Sequence, residues 1–124
     1  MPQNSNSLTT VVLLVEDEPL IRYATEVALR DMGYRTIAAT NGYEALSALE
    51  EHRDITVMVT DLAMPKMDGR ELARRAQAQY PALKIILTTG YDPTPGALCT
   101  WPVVNKPYLS EELAEAIEAA LAAS

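Results

Sequence analysis

Residues Ile55 to Gly69 read Ile-Thr-Val-Met-Val-Thr-Asp-Leu-Ala-Met-Pro-Lys-Met-Asp-Gly. The first seven, Ile55–Asp61, are β-branched and almost continuously apolar, which predicts a strand buried on both faces. That strand ends on a carboxylate, Asp61. A short break follows, and Asp68 with Glu71 then makes a capping-box pattern ahead of Leu72, Ala73 and Ala76, so a helix follows until Pro81 breaks it. A buried strand, an acid at its carboxyl end and a returning helix form one unit of a parallel α/β sheet.

The same unit recurs on either side. Upstream, Val11–Val15 is a second apolar strand. Pro19 suits a first helical position, and Leu20, Ile21, Ala24, Val27 and Ala28 recur on one face before Gly33 stops the helix. Arg35–Ala39 is a further strand, followed by Asn41 with Glu44 capping a helix that carries Ala45, Leu46 and Leu49. Downstream come strands Lys84–Thr89 and Val103–Asn105. Ser110 is then expected to cap a last helix striped by Leu113, Ala116, Ile117, Ala120 and Leu121. Five strands alternating with helices predict an α/β fold, a doubly wound parallel sheet covered on both faces. Ligands of such sheets bind beyond the carboxyl ends of the strands, at a topological switch point.

Bulk properties bound the reading. A chain of 124 residues, 48% hydrophobic and 22% charged, fits one domain with a genuine core. The net charge of −7 argues against nucleic acid and anionic membrane surfaces as partners. No apolar run approaches membrane-spanning length. Residues 1–10 are polar and uncharged, unlike a signal peptide, and read as a flexible leader before a domain over 11–124. Cys99 is the only cysteine, which permits neither an intramolecular disulfide nor a cysteine metal cluster and agrees with a cytoplasmic location.

The strand ends carry the chemistry. Glu16, Asp17 and Glu18 follow the first strand, Asp61 ends the third, Thr88 and Thr89 end the fourth, and Lys106 follows the fifth. Converging carboxylates repel one another unless a cation neutralises them, and oxygen donors of this kind suit Mg²⁺. With Lys106 added, the set suits phosphoryl transfer, with Asp61 as the nucleophile. Each residue also has a plainer role available. Asp61 can terminate a strand, Glu16 and Asp17 can serve as first-turn helix acids, and Lys106 can be a surface lysine. Glu18 reads as a solvated first-turn acid and Trp101 as a packing anchor. Lys66, Arg70, Arg74 and Arg75 read as a solvated helix face, while His52 and Cys99 carry no signal.

The set Glu16-Asp17, Asp61, Thr89 and Lys106-Pro107, with Leu14-Val15-Glu16-Asp17-Glu18-Pro19 and Asp61 to Gly69, resembles the receiver domains of two-component response regulators. The resemblance covers about Val11 to Leu121. It implies a flavodoxin-like strand order 2-1-3-4-5 and a phosphoacceptor at Asp61. It implies Mg²⁺ held by Asp17, Glu16, Asp61 and the backbone carbonyl of Ala63. Thr89 would be the switch hydroxyl, preferred over Thr88 because it directly precedes Gly90. Lys106 would contact the phosphoryl group, and Lys106–Pro107 would be a cis peptide. A sensor histidine kinase or histidine phosphotransfer protein would donate the phosphoryl group. The chain ends with its last helix, so it would signal by docking to a further protein. It would be a phosphoacceptor with weak self-catalysed transfer and hydrolysis rather than an enzyme.

Three features depart from the family pattern. The stretch between Thr89 and Lys106 is short and holds Pro93, Pro95, Gly96 and Pro102, so a full fourth helix is not expected there. Val103 stands where an aromatic switch residue is common. Thr89-Gly90-Tyr91 resembles a subset of single-domain regulators and hybrid-kinase receivers, which gives Tyr91 a signalling role by expectation. Other classes fit less well. An aspartate-dependent phosphohydrolase wants an acid where Ala63 stands, and a flavin carrier wants a phosphate-cradling loop where Glu16-Asp17-Glu18 would repel phosphate. A never-phosphorylated docking domain would not need this complete set.

Overall fold

The computed structural model describes residues 10–90, 101–106, 108 and 110–123. The leader before Thr10, the segment expected to replace a fourth helix, Tyr91, and the Lys106–Pro107 peptide bond lie outside the described residues.

The elements alternate along the chain as β1 (Val11–Val15), α1 (Pro19–Asp31), β2 (Arg35–Ala39), α2 (Gly42–Glu51) and β3 (Ile55–Asp61). There follow α3 (Gly69–Gln79), β4 (Lys84–Thr89), β5 (Val103–Asn105) and α4 (Ser110–Ala122). All strand pairings are parallel, and the spatial order is β2-β1-β3-β4-β5. This is the flavodoxin-like order expected. The chain reverses its winding between β1 and β3, so their carboxyl ends form the switch point. Thr10, the first described residue, is buried and its carbonyl accepts the Arg35 amide.

Two cores flank the sheet. On one face Ala45, Leu49, Leu72, Ala73 and Ala76 from α2 and α3 pack against Leu13, Met58 and Leu87. On the other, Leu29, Leu113 and Ile117 from α1 and α4 pack against Val12, Val59 and Ile86. Each fully buried side chain of this size contributes about 1.5–3 kcal/mol.

Local signals explain most boundaries. Asn41 accepts the Glu44 amide at 2.9 Å and Asp68 accepts the Glu71 amide at 2.9 Å, as the capping pattern requires. Glu44 reaches back one residue further than expected, taking the amide and hydroxyl of Thr40 at 2.8 and 2.7 Å. The Thr40 amide and hydroxyl hold the Glu44 carboxyl below the ordinary carboxylate range. Gly33 ends α1 with a left-handed φ of 97°, while the Tyr34 and Gly33 amides bond to the carbonyls of Leu29 and Arg30. That pairing is a Schellman closure, for which glycine is favoured.

Four details differ from the sequence reading. The buried residues of α1 are Thr25 and Leu29, whereas Leu20 is 79% exposed and Val27 39%. The apolar stripe of α1 therefore points largely to solvent. Glu18 is the N-cap of α1, its carboxylate accepting the Leu20 amide at 2.9 Å. Ser110 is the first helical residue of α4. Lys66 lies ahead of α3, not on it, with φ 76° at the centre of a tight turn closed by the Met67 amide on the Pro65 carbonyl at 2.8 Å.

Candidate functional site

Register delivers the site. Val15 pairs with Thr60, so one residue further each strand presents an acid, Glu16 on one and Asp61 on the other. Asp61 pairs with Thr88 across β3–β4, and Thr89 pairs with Asn105 across β4–β5, which brings Lys106 to the same edge. Main-chain bonds carry the ladder past the strand ends. The Leu62 amide donates to the Thr88 carbonyl at 2.7 Å and the Lys106 amide to the Thr89 carbonyl at 2.7 Å.

Glu16 is 2% exposed and both its carboxylate oxygens are engaged. Oε1 accepts Lys106 Nζ at 2.8 Å, and Oε2 accepts the Glu18 amide at 3.1 Å. Arg22 Nη1 donates to the Glu16 carbonyl at 3.0 Å, adding positive charge behind the acid. Asp61 is 7% exposed, with Oδ2 standing 3.4 Å from Lys106 Nζ. Asp17 is exposed at the rim.

Burial and the neighbouring Glu16 charge push the Asp61 carboxyl above its ordinary value, against the pull of Lys106. For Lys106, burial opposes the charged form, yet the Glu16 hydrogen bond and the Asp61 and Glu16 charges outweigh it and raise its value. A buried ammonium stays charged only where such partners surround it.

Carboxylate oxygens of Glu16, Asp17 and Asp61 lie within 4.8 Å of one another. Three carboxylates gather around a lysine that pairs with two of them, Glu16 and Asp61, which leaves net negative charge in the cluster. All its donors are hard oxygens, with neither thiolate nor imidazole among them. That donor set fits a hard divalent cation such as Mg²⁺.

The structure therefore brings together Glu16, Asp17, Asp61 and Lys106, and sets buried Thr88 and Thr89 at the same edge. Ala63 is exposed in the loop after Asp61. Trp101, read as an anchor, packs against the α2/α3 core and donates its indole N–H to Gln77 Oε1 at 3.1 Å. Sequence reasoning missed Arg22, Thr25 and Tyr108. The Thr25 and Tyr108 hydroxyls are hydrogen bonded at 3.0 Å, two residues past Lys106 in the latter case. A threonine inside a helix, where serine and threonine are poorly favoured, was the available signal.

Fold and site together define a flavodoxin-like α/β domain with an acidic cluster at its switch point. The chain matches the family described as response regulator receiver domain over residues 12–118, and it belongs to that family. It is 36% identical over 118 residues to the response regulator receiver protein CpdR of Brucella abortus (strain 2308), covering 91% of this chain and 98% of CpdR. It is 39% identical over 84 residues to the sensor kinase CckA of the same organism, covering 67% of this chain but 9% of CckA. Among solved structures it superimposes with a TM-score of 0.82 on the response regulator TrrA of Thermotoga maritima in complex with Mg(2+)-BeF, at 31% identity over 90% of this chain and 98% of TrrA. The receiver domain of the hybrid histidine kinase CckA gives a TM-score of 0.77 at 28% identity, covering 90% of this chain and 98% of that one. The protein is a receiver domain of two-component systems. Among the described residues no helix is long and apolar enough to cross a membrane.

Proposed function

We propose that residues 11–124 act as a phosphoacceptor unit in which Asp61 takes a phosphoryl group from a phosphohistidine of a sensor kinase or phosphotransfer protein. The observation that carries this reading is the buried Asp61 carboxylate clustered with those of Glu16 and Asp17, with the Lys106 ammonium 2.8 Å from Glu16 and 3.4 Å from Asp61. An Asp61 oxygen attacks phosphorus, a P–O bond forms, the P–N bond breaks, and the imidazole leaves with the electron pair. Glu16, Asp17, Asp61 and the Ala63 carbonyl would hold Mg²⁺. When bound, Mg²⁺ supplies neutralising charge to the carboxylates and to the transferring phosphoryl oxygens.

The chain's own residues do the positioning. Lys106, already held by Glu16, offers its remaining donors to a phosphoryl oxygen on Asp61. Thr89, the last residue of β4, supplies a hydroxyl at the same edge to report the modified state. Tyr91 extends that response into the following segment. No further acid follows Asp61 at Ala63 to activate water, which favours a persistent adduct over rapid turnover and supports a signalling rather than an enzymatic role. Output runs through docking to another protein in the cytoplasm.

The test is intact-mass analysis after incubation with acetyl phosphate and Mg²⁺, with Asp61→Asn in parallel. One phosphoryl adduct on the wild type alone is expected. An inert wild type that also fails to bind beryllofluoride and Mg²⁺ sinks the reading in favour of an unphosphorylated docking domain.

A further inference from the structure

Two stretches of chain meet at the site, the one leaving β1 and the one leaving β5. They are joined twice. Lys106 Nζ bonds to Glu16 Oε1 at 2.8 Å across 90 residues of sequence, and the Tyr108 and Thr25 hydroxyls bond at 3.0 Å across 83. We propose that the Thr25–Tyr108 hydrogen bond is a positioning device for Lys106 in phosphoryl transfer, a role that rests on the function proposed above.

A lysine side chain is long and loses much rotamer freedom when fixed. Aiming its ammonium at two carboxylates therefore depends on where its backbone is held. The upstream side is fixed by the Lys106 amide on the Thr89 carbonyl at 2.7 Å. On the downstream side, the Tyr108 hydroxyl ties the chain to Thr25, which is 7% exposed on α1. The α1 helix follows Glu16-Asp17 after its N-cap Glu18, so the second bond sets the lysine-bearing segment against the helix into which the acids lead. Burial pushes the Tyr108 phenol above its ordinary value, so it remains a neutral hydroxyl at physiological pH.

Tyr108 also packs against the α1/α4 core, and the hydroxyl pair adds direction to that packing. A cavity of about 120 Å³ lies against the pair, lined by Ala24, Thr25, Ala28, Leu29, Tyr108 and Leu113 among others. On its other side Tyr108 borders an open groove with Leu20, Ile21, Gly90 and Lys106. Packing alone leaves room beside the ring, so the hydroxyl pair is what fixes the direction of its hydroxyl end.

The test compares Tyr108→Phe, Thr25→Val and Thr25→Ser with the wild type in the full chain. Readouts are the rate of adduct formation from acetyl phosphate, beryllofluoride affinity, and affinity for Mg²⁺ alone by calorimetry. Tyr108→Phe and Thr25→Val are each expected to slow phosphorylation and weaken beryllofluoride binding about three- to tenfold, the scale of one lost hydrogen bond. Mg²⁺ affinity stays unchanged or rises, because the acids are untouched. Thr25→Ser keeps the wild-type rate, since it keeps the hydroxyl. In a Lys106→Ala background, Tyr108→Phe adds no further loss. Variants equal to a reactive wild type overturn the inference, as does a parallel fall in Mg²⁺ affinity or an additive loss without Lys106. A wild type that takes neither phosphoryl group nor beryllofluoride removes the underlying function, and this inference with it.

Discussion

Gly69 presses its backbone against that of Asp61: a Cβ added to Gly69 would stand 2.3 Å from the Asp61 carbonyl oxygen and 2.8 Å from Leu62 Cα. Both neighbours are main chain, so neither yields as a flexible side-chain tip would. The Gly69 amide also closes the loop onto the Leu62 carbonyl at 2.7 Å. The start of α3 is thus seated on the residue that ends β3. Gly69→Ala forces the two apart and is expected to destabilise the fold by about 1–3 kcal/mol, the usual cost of overpacking. Thermal unfolding checks this, and an unchanged Tm would mean that the loop absorbs a methyl group without strain.

Removing the Asp61 charge should have the opposite sign. The carboxylate is buried and beside Glu16, with one lysine shared between them. Asp61→Asn keeps the shape and removes the repulsion, while Lys106 retains Glu16. The expected result without metal is a Tm higher by a few degrees, the scale on which about 1 kcal/mol shows in a domain of this size. The same variant should lose most of the stabilisation that Mg²⁺ gives the wild type. A lower metal-free Tm would indicate that the Lys106–Asp61 attraction outweighs the repulsion.

Much of this was legible in the sequence, for physical reasons that can be named. Strands β1, β3 and β4 are buried on both faces, so their apolar runs have one reading, and the polar residues at their carboxyl ends, Glu16, Asp61 and Thr89, are fixed by the chain itself. Asn41, Asp68 and Gly33 announce helix boundaries because each satisfies orphan backbone groups in a distinctive way. The apolar face of α1 misled because Leu20, Tyr23 and Val27 are exposed while Thr25 is buried, and periodicity alone cannot tell which side meets the sheet. Thr25 with Tyr108, like Arg22 with the Glu16 carbonyl, depends on how α1 is set against its neighbours. No local pattern encodes that distance.

Lys66 holds a left-handed φ of 76° between Pro65 and Met67. For a residue with a Cβ this conformation costs on the order of 1–2 kcal/mol. Glycine carries no such penalty, though it gains entropy in the unfolded chain. Lys66→Gly is therefore expected to leave stability unchanged or raise it by up to about 1 kcal/mol, whereas Lys66→Val should lower it. Urea unfolding of the two variants decides this. A loss for glycine as large as that for valine would show that the lysine side chain, not its backbone, matters.

In the proposed function protons and Mg²⁺ compete for the same acids, and the raised Asp61 carboxyl sets the direction. An unfolded aspartate titrates near about 3.9. Between that value and the higher folded one, the native state holds more protons than the unfolded chain, so Asp61 makes the metal-free protein less stable as pH rises through the window. Lys106 behaves differently. Its raised value means its contribution is fully present below the unfolded lysine range and is lost only as pH rises through the folded one, well above neutrality. Near neutral pH the Asp61 carboxylate is then the group whose cost an added cation relieves. Mg²⁺ should accordingly raise Tm more at neutral pH than at an acid pH near the unfolded aspartate value, with the increment growing as Asp61 deprotonates. In Asp61→Asn the remaining increment should be smaller and flatter with pH. Paired melting curves with and without Mg²⁺ across that range test this, and an increment that is larger at the acid end would place the bound cation away from Asp61.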